Sequence, residues 1–338
     1  MTDTVKIGVI GCGEIAEQWH LPLLKRLPGF DLRWTCDRDL ARARGCAGLF
    51  GISDSFDSVM DCPEVDAVVV ATPVGSRLQL LDAITARRWD AFCEKPFAPS
   101  LSQHEAILAM AGSAGLVLGC GYMRRFYWAT GTAKNLVATL FDGKSLDVVM
   151  CDSQRLCRSG HRGDWYLGDP GASGGGFLME TGSHLIDQAL AVAGASEVKV
   201  QAARQVVRNG IDYETAAEVR GLGGNGGEMA FQLLVSRLRE MWSGIAVSSG
   251  SNCLEVPLIP GAPLILTNRA NATRCQIDAP LRGALDLAGA YSEQLTRFRR
   301  RVLDRDHASN DRETGLLTTT ILSGCYQQAG SQPVSARA

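Results

Sequence analysis

The sequence predicts an α/β fold in two parts. A doubly wound parallel sheet comes first, followed by an α+β domain with a large, open, mainly antiparallel sheet. Three observations predict it. Short apolar runs alternate with helical patterns, in units of about 25–35 residues, through the first third of the chain. A glycine-rich turn follows the first of these runs. Near Tyr122–Phe126 the texture changes to runs that alternate polar and apolar residues, joined by Gly/Asn turns such as Gly223–Gly227. With 338 residues to organise, two domains are expected, 1–124 and 125–338.

Val5–Ile10 is apolar and β-branched, and G-C-G-E-I-A follows at once, so a strand runs into a tight turn. Gly11 permits the turn, Gly13 lets the backbone approach a pyrophosphate, and Ala16 is small enough for the helix to pack on the strand. Glu14 and Ile15 open that helix, whose N–H groups and dipole favour an anion, and they join the candidate cofactor contacts. The helical pattern Ile15–Leu24 leads to a strand at Asp31–Cys36 and then to Asp37, where a carboxylate accepts from adenosine ribose hydroxyls. An acid there favours NAD. Arg38 beside it suits adenine stacking or a 2′-phosphate, so NADP stays open. The plainer alternative is that Asp37 only caps the next helix, Asp39–Leu49.

A segment near Asp54–Asp61 leads to Val65–Ala71, which reads as a strand buried on both faces and ended by Thr72-Pro73. A helix over Leu78–Arg88, a strand at Ala91–Cys93, a helix over Leu101–Ala111 and a strand at Leu116–Tyr122 complete the alternation. Beyond it, strands are expected at Leu146–Asp152, Val198–Val207, Glu214–Leu222, Glu228–Ser236, Met241–Val247 and Cys253–Ile259. Helical patterns cover Phe177–Val192, Leu285–Leu303 and Thr314–Gln328.

A formal net charge of -2 gives no reason to expect a polyanionic partner such as nucleic acid. The one dense basic run, Arg297–Arg301, is expected to be a solvated helix face. Eleven cysteines without a Cys-x-x-Cys pair argue against a disulfide framework and a structural zinc, and point to a reducing, cytoplasmic compartment. His161 has no partner at ligand spacing, so no metal is expected. No apolar run suits a membrane span, and Val5–Ile10 is too short and lacks the basic flank of a signal peptide.

Several motifs occur together in order: G-C-G-E-I-A, H-L-P at His20–Pro22, C-D-R-D, A-T-P at Ala71–Pro73, E-K-P at Glu94–Pro96, G-Y-M-R-R-F, and G-G-G-F-L-M-E-T-G-S-H-L-I-D. In this the chain resembles the Gfo/Idh/MocA oxidoreductases over nearly its whole length. The resemblance implies an N-terminal Rossmann domain, a C-terminal domain with an open sheet, and NAD(P)-dependent oxidation or reduction of a sugar-like hydroxyl. It also implies that Ala71, Thr72 and Pro73 contact the cofactor, that Lys95 is catalytic and that Glu94 lies near the nicotinamide ribose. The chain departs from the family pattern at Glu180, usually Asp, at Val74 and Arg77, often Asn and His, and at Met123, usually Asn.

Oxidising a carbinol requires hydride loss, a base for the hydroxyl proton and a cation or donor for the developing alkoxide. Lys95 supplies a cation where a strand leaves the sheet; the bland alternative is a solvated ion pair. An unperturbed imidazole suits proton transfer near neutral pH, which makes His184 a candidate, and Glu180, four residues earlier on a helix, shares its face and can orient it or hold a substrate hydroxyl; a core histidine with a helix-start acid is the alternative. Gly174–Gly176 permit a close backbone approach before that helix. Asp187 reads as structural, whereas Arg124 and Trp165, with Arg158 and Tyr166, suit a sugar site. The expected activity is hydride transfer between a nicotinamide and a cyclic polyol, sugar or nucleotide-linked sugar. The alternatives are a trans-diol or other non-sugar carbonyl, or a catalytically silent NAD-binding sensor or assembly protein. A homodimer or homotetramer is expected, since the open sheet face would otherwise be exposed.

Overall fold

The computed structural model describes residues 4–141, 145–154, 168–280 and 287–330. The chain forms two compact units, Met1–Gly121 with Tyr291–Leu316, and Tyr122–Ala290 with Leu317–Ala338. Each unit is therefore assembled from two stretches of sequence rather than from one side of a single boundary.

The first unit holds strands β1 (Val5–Ile10), β2 (Phe30–Cys36), β3 (Asp54–Phe56), β4 (Ala67–Val70), β5 (Asp90–Cys93) and β6 (Leu118–Cys120). They are all parallel, in the order β3-β2-β1-β4-β5-β6. That order reverses between β1 and β4, and a ligand crevice opens at the carboxyl ends of strands so arranged. The continuous apolar sequence of β4 follows from its place, because all four of its residues are buried. Helices α1 (Leu21–Arg26), α2 (Leu40–Leu49), α3 (Arg77–Ala86) and α4 (Leu101–Ala114) provide the connections. A wider π-helical turn, Ala16–His20, runs directly into α1. The cap of α2 is Asp39, whose carboxylate accepts from the Ala41 and Arg42 N–H groups, so Asp37 is not its cap.

The second unit begins with α5 (Trp128–Leu140), which the sequence reading did not anticipate, and β7 (Leu146–Ser153). After α6 (Pro170–Ser173), a π-helical turn at Leu178–Gly182 leads into α7 (Ser183–Ala193). Strands β8 (Ala195–Arg208), β9 (Ile211–Gly223), β10 (Glu228–Ser236), β11 (Gly244–Ser249), β12 (Asn252–Val256), β13 (Leu264–Asn268) and β14 (Thr273–Ile277) join β7 in an eight-stranded sheet. Only the β7–β10 pairing is parallel. The strand expected to reach Ile259 ends at Val256, where Pro257 has no N–H to give the ladder. The last two strands, β13 and β14, were not foreseen. The core lies between this sheet and α5 and α7, with Phe177, Leu178, Leu185, Ile186 and Phe231 almost fully buried.

Helix α8 (Leu287–Asp304) and α9 (Asn310–Thr314) return the chain to the first unit, and α10 (Leu316–Gln328) ends the described part of the second. The basic run of α8 is not the solvated face expected of it. Arg301 is 5% exposed and donates to the Leu118 carbonyl, Arg297 pairs with Glu313, and Arg299 donates to the Gly29 carbonyl. Only Arg300 of the four faces solvent fully. Leu118 lies on β6, an outer strand of the sheet, and its N–H donates to Asn310 Oδ1. Arg301 and Asn310 thereby close a sheet edge that would otherwise offer unpaired backbone groups.

Candidate active site

The glycine turn is shaped by backbone geometry. Gly11 has φ +93°, and a Cβ there would stand 2.7 Å from the Ala71 carbonyl carbon and oxygen. Around Gly13 the space is open, with nothing within 4 Å of where a Cβ would be. At the end of β2, Asp37 accepts from the Cys12 N–H at 2.9 Å and from the Asp39 N–H at 3.0 Å. Each carboxylate oxygen keeps a further lone pair, so a ribose hydroxyl can still be accepted. At the end of β4, Thr72 Oγ1 is buried without a partner among the described residues. An open glycine, an acid with acceptor capacity and an unmatched hydroxyl, all at the carboxyl end of the sheet, fit a dinucleotide. Glu14 and Arg38 are exposed, and Ile15 is half-buried at the helix start. Ala16 is fully buried, as helix–strand contact requires.

Glu94 follows β5 and is 7% exposed. Its Oε1 stands 2.7 Å from Nε2 of the fully buried His20, and its Oε2 accepts the Lys95 N–H at 3.2 Å. Burial pushes this carboxyl's pKa up, but the bond and charge of His20, with the charge of Lys95, outweigh burial and hold it below the usual carboxylate range. Both oxygens thus engage protein groups, and Lys95 is half-buried beside them. Arg77 is fully buried. It donates to the Glu94 carbonyl at 2.9 Å and to the Thr72 carbonyl at 3.2 Å, fastening the ends of β4 and β5 together.

In the second unit, Glu180 lies in the π-helical turn and His184 in the first turn of α7, both half-buried. The edge of the Tyr122 ring meets the His184 ring, with centroids 6.4 Å apart. Asp187 takes both arms of Arg125, at 2.8 and 2.5 Å, and accepts from Thr318 Oγ1, so its contacts are structural. Arg124 faces Asp152 at 3.9 Å, and its Nε and one terminal nitrogen are buried without a hydrogen-bond partner among the described residues. Trp165, with Arg158, His161 and Tyr166, lies outside the described residues.

The glycine run Gly174–Gly176 serves the protein's own packing. Asp212 accepts from the Gly176 N–H at 2.8 Å, the Leu178 N–H at 2.7 Å and Tyr326 Oη at 2.6 Å. A Cβ on Gly176 would collide with the Asp212 backbone, and one on Gly175 with the Tyr326 hydroxyl. Asp212 therefore fixes the start of the segment that carries Glu180 and His184. Sequence reasoning missed this role because Asp212 is 36 residues from Gly176 and carries no local motif. His20 was visible only as part of H-L-P, and Arg77 only as a departure from a pattern.

Residues 5–122 match the family described as "Oxidoreductase family, NAD-binding Rossmann fold". The chain is 27% identical over 195 residues to the uncharacterized oxidoreductase YdgJ of Escherichia coli, covering 57% of this chain and 55% of that protein. It is 32% identical over 131 residues to an inositol 2-dehydrogenase of Arthrobacter, covering 37% and 39% of the two. The matches thus span 55% and 39% of the lengths of these two relatives. The aldose-aldose oxidoreductase of Caulobacter crescentus, solved with glycerol, shares the fold, with a TM-score of 0.77 at 19% identity over 97% of this chain and 98% of that one. The parallel sheet and its glycine turn agree with the family match: residues 5–122 are similar to the NAD-binding Rossmann domain of the Gfo/Idh/MocA oxidoreductases.

Proposed function

We propose that the protein is an NAD(H)-dependent oxidoreductase that interconverts a secondary hydroxyl and a ketone on a cyclic polyol, sugar or nucleotide-linked sugar. The observation that carries this reading is the Glu94–Lys95 turn. A lysine stands at the carboxyl end of β5 in a dinucleotide-binding sheet, and the residue before it is held by His20 and Arg77. The names of relatives support the substrate class, since they include inositol 2-dehydrogenases and a putative UDP-kanosamine synthase oxidoreductase subunit.

Gly11, Gly13 and the helix start would hold the pyrophosphate, Asp37 the adenosine ribose, and Ala71, Thr72 and Pro73 the nicotinamide side. A bound nicotinamide supplies the hydride acceptor or donor. The Lys95 ammonium stabilises the substrate oxygen as it gains negative charge. His184 takes the hydroxyl proton on its imidazole, or returns it in the reverse direction, and Glu180 orients the ring. Arg124 reads substrate hydroxyls. The Asp37 carboxylate repels a 2′-phosphate, which makes NAD the preferred cofactor.

The free, mostly buried cysteines suit a reducing, cytoplasmic setting. Among the described residues no helix is long and apolar enough to cross a membrane. The outer face of the eight-stranded sheet, which exposes Val206 and Leu222, suits a homodimer or homotetramer. The test is a thermal-shift screen with NAD(H) and NADP(H), followed by turnover of cyclic polyols, hexoses and nucleotide sugars. Stabilisation by NAD(H) and reduction of NAD+ by one of these classes is the expected result. A larger shift with NADP(H) would overturn the role given to Asp37, and no shift with either would overturn the reading.

A further inference from the structure

Arg77 is a cation in an unusual position. Its side chain is fully buried, yet among the described residues its hydrogen-bond partners are neutral: the carbonyls of Thr72 and Glu94, with the Cys93 thiol beside them. Among the described residues no carboxylate pairs with it, and its Nε has no partner. A guanidinium stays charged even when buried. Carbonyl dipoles offset part of the charge, and the one carboxylate at this strand end, Glu94, is matched by the charge of the adjacent Lys95, so Arg77 remains an excess positive charge.

The two carbonyls also locate it. On the reading proposed above, the adenosine ribose lies at Asp37 after β2, and the pyrophosphate at Gly11–Ala16 after β1. The remaining half of an extended dinucleotide then falls across the ends of β4 and β5, beyond the point where the strand order reverses. Thr72 and Glu94 are those ends, and Arg77 joins them from within the unit.

We propose that Arg77 is a selector of cofactor redox state, its fixed charge beneath the nicotinamide half making the protein bind NADH more tightly than NAD+. The inference rests on the NAD-dependent reading. The oxidised ring carries a positive charge and the reduced ring is neutral, so a buried cation nearby repels only the former. For charges roughly 10 Å apart at an effective dielectric of about 20, the bias is on the order of tenfold. By linkage, the same factor displaces the bound couple toward its reduced form. With the cofactor bound, this bias would favour oxidation of the substrate over its reverse.

The experiment measures binding of NADH, NAD+ and ADP-ribose to the full chain by calorimetry, for the native protein, Arg77→Met and Arg77→Lys. The native protein is expected to prefer NADH, Arg77→Met to lose on the order of tenfold of that preference, and Arg77→Lys, which keeps the charge, to retain most of it. ADP-ribose, which lacks the nicotinamide, is expected to bind native protein and Arg77→Met alike. An unchanged NADH-to-NAD+ ratio in Arg77→Met overturns the proposal. So does a native protein that binds NAD+ at least as tightly as NADH, a result that needs no variant to fold. If native protein binds none of the three ligands, the NAD-dependent reading itself fails and takes this inference with it. Binding of ADP-ribose with the wrong ratio is the signature of failure here alone.

Discussion

Nε2 of His20 and Oε1 of Glu94 stand 2.7 Å apart, with the histidine fully buried and the carboxylate almost so. The bond ties the first helical segment to the end of β5, directly before Lys95. An ionised carboxylate this deep needs its donors, because each lost one leaves charge without solvent to replace it.

Removing that donor has a pH signature. Glu94 is held below the ordinary carboxylate pKa, so its contribution to stability is fully present above the unfolded value of about 4.3 and is lost as pH falls through the lower folded value. His20→Ala leaves burial without its main counterweight. Its cost is expected to be about 2 kcal/mol at neutral pH, narrowing as the medium falls below about pH 4. Denaturant midpoints of both proteins across the acid range check this.

The two fingerprint glycines are expected to fail differently. Gly11→Ala puts a side chain at positive φ against the Ala71 carbonyl, and about 2 kcal/mol or more of stability should be lost. Gly13→Val meets no protein atom at its Cβ, so its stability should stay within about 1 kcal/mol of native. Cofactor binding should nevertheless be lost, since the new side chain fills the space the pyrophosphate needs. Thermal melts with and without NADH separate the two cases.

Asp212 and Tyr326 form the corresponding lock in the second unit. Burial raises the pKa of Asp212 against three hydrogen bonds, from Tyr326, Leu178 and Gly176. Tyr326→Phe withdraws one donor and should cost about 1–3 kcal/mol. Turnover should fall further than this loss of stability explains, because the segment bearing Glu180 and His184 loosens. NADH affinity should not change. Parallel measurements of unfolding, turnover and NADH binding test all three statements.

Much of the fold was legible because local chemistry and tertiary role agree in a parallel sheet. Val65–Ala71 reads as a buried strand since its sequence is apolar on both faces, and Gly11 reads as a turn since it needs positive φ. Strand β14 was not legible, because an exposed edge strand such as Thr273–Ile277 carries little apolar signal. The arginines of α8 misled for a related reason: charge suggests solvent, yet Arg301 spends its donors on the backbone of a distant strand. Sequence offered Lys95, Glu180 and His184 as candidates for the chemistry. It could not supply what holds them, since His20, Arg77 and Asp212 act through partners remote in the chain.

The most direct test of the central claim is turnover by Lys95→Ala on a substrate that the native protein oxidises with NAD+, with NADH binding measured alongside. Loss of a cation that stabilises developing negative charge should lower turnover by about 10²–10³-fold, with NADH still bound. Native turnover in Lys95→Ala would contradict the account.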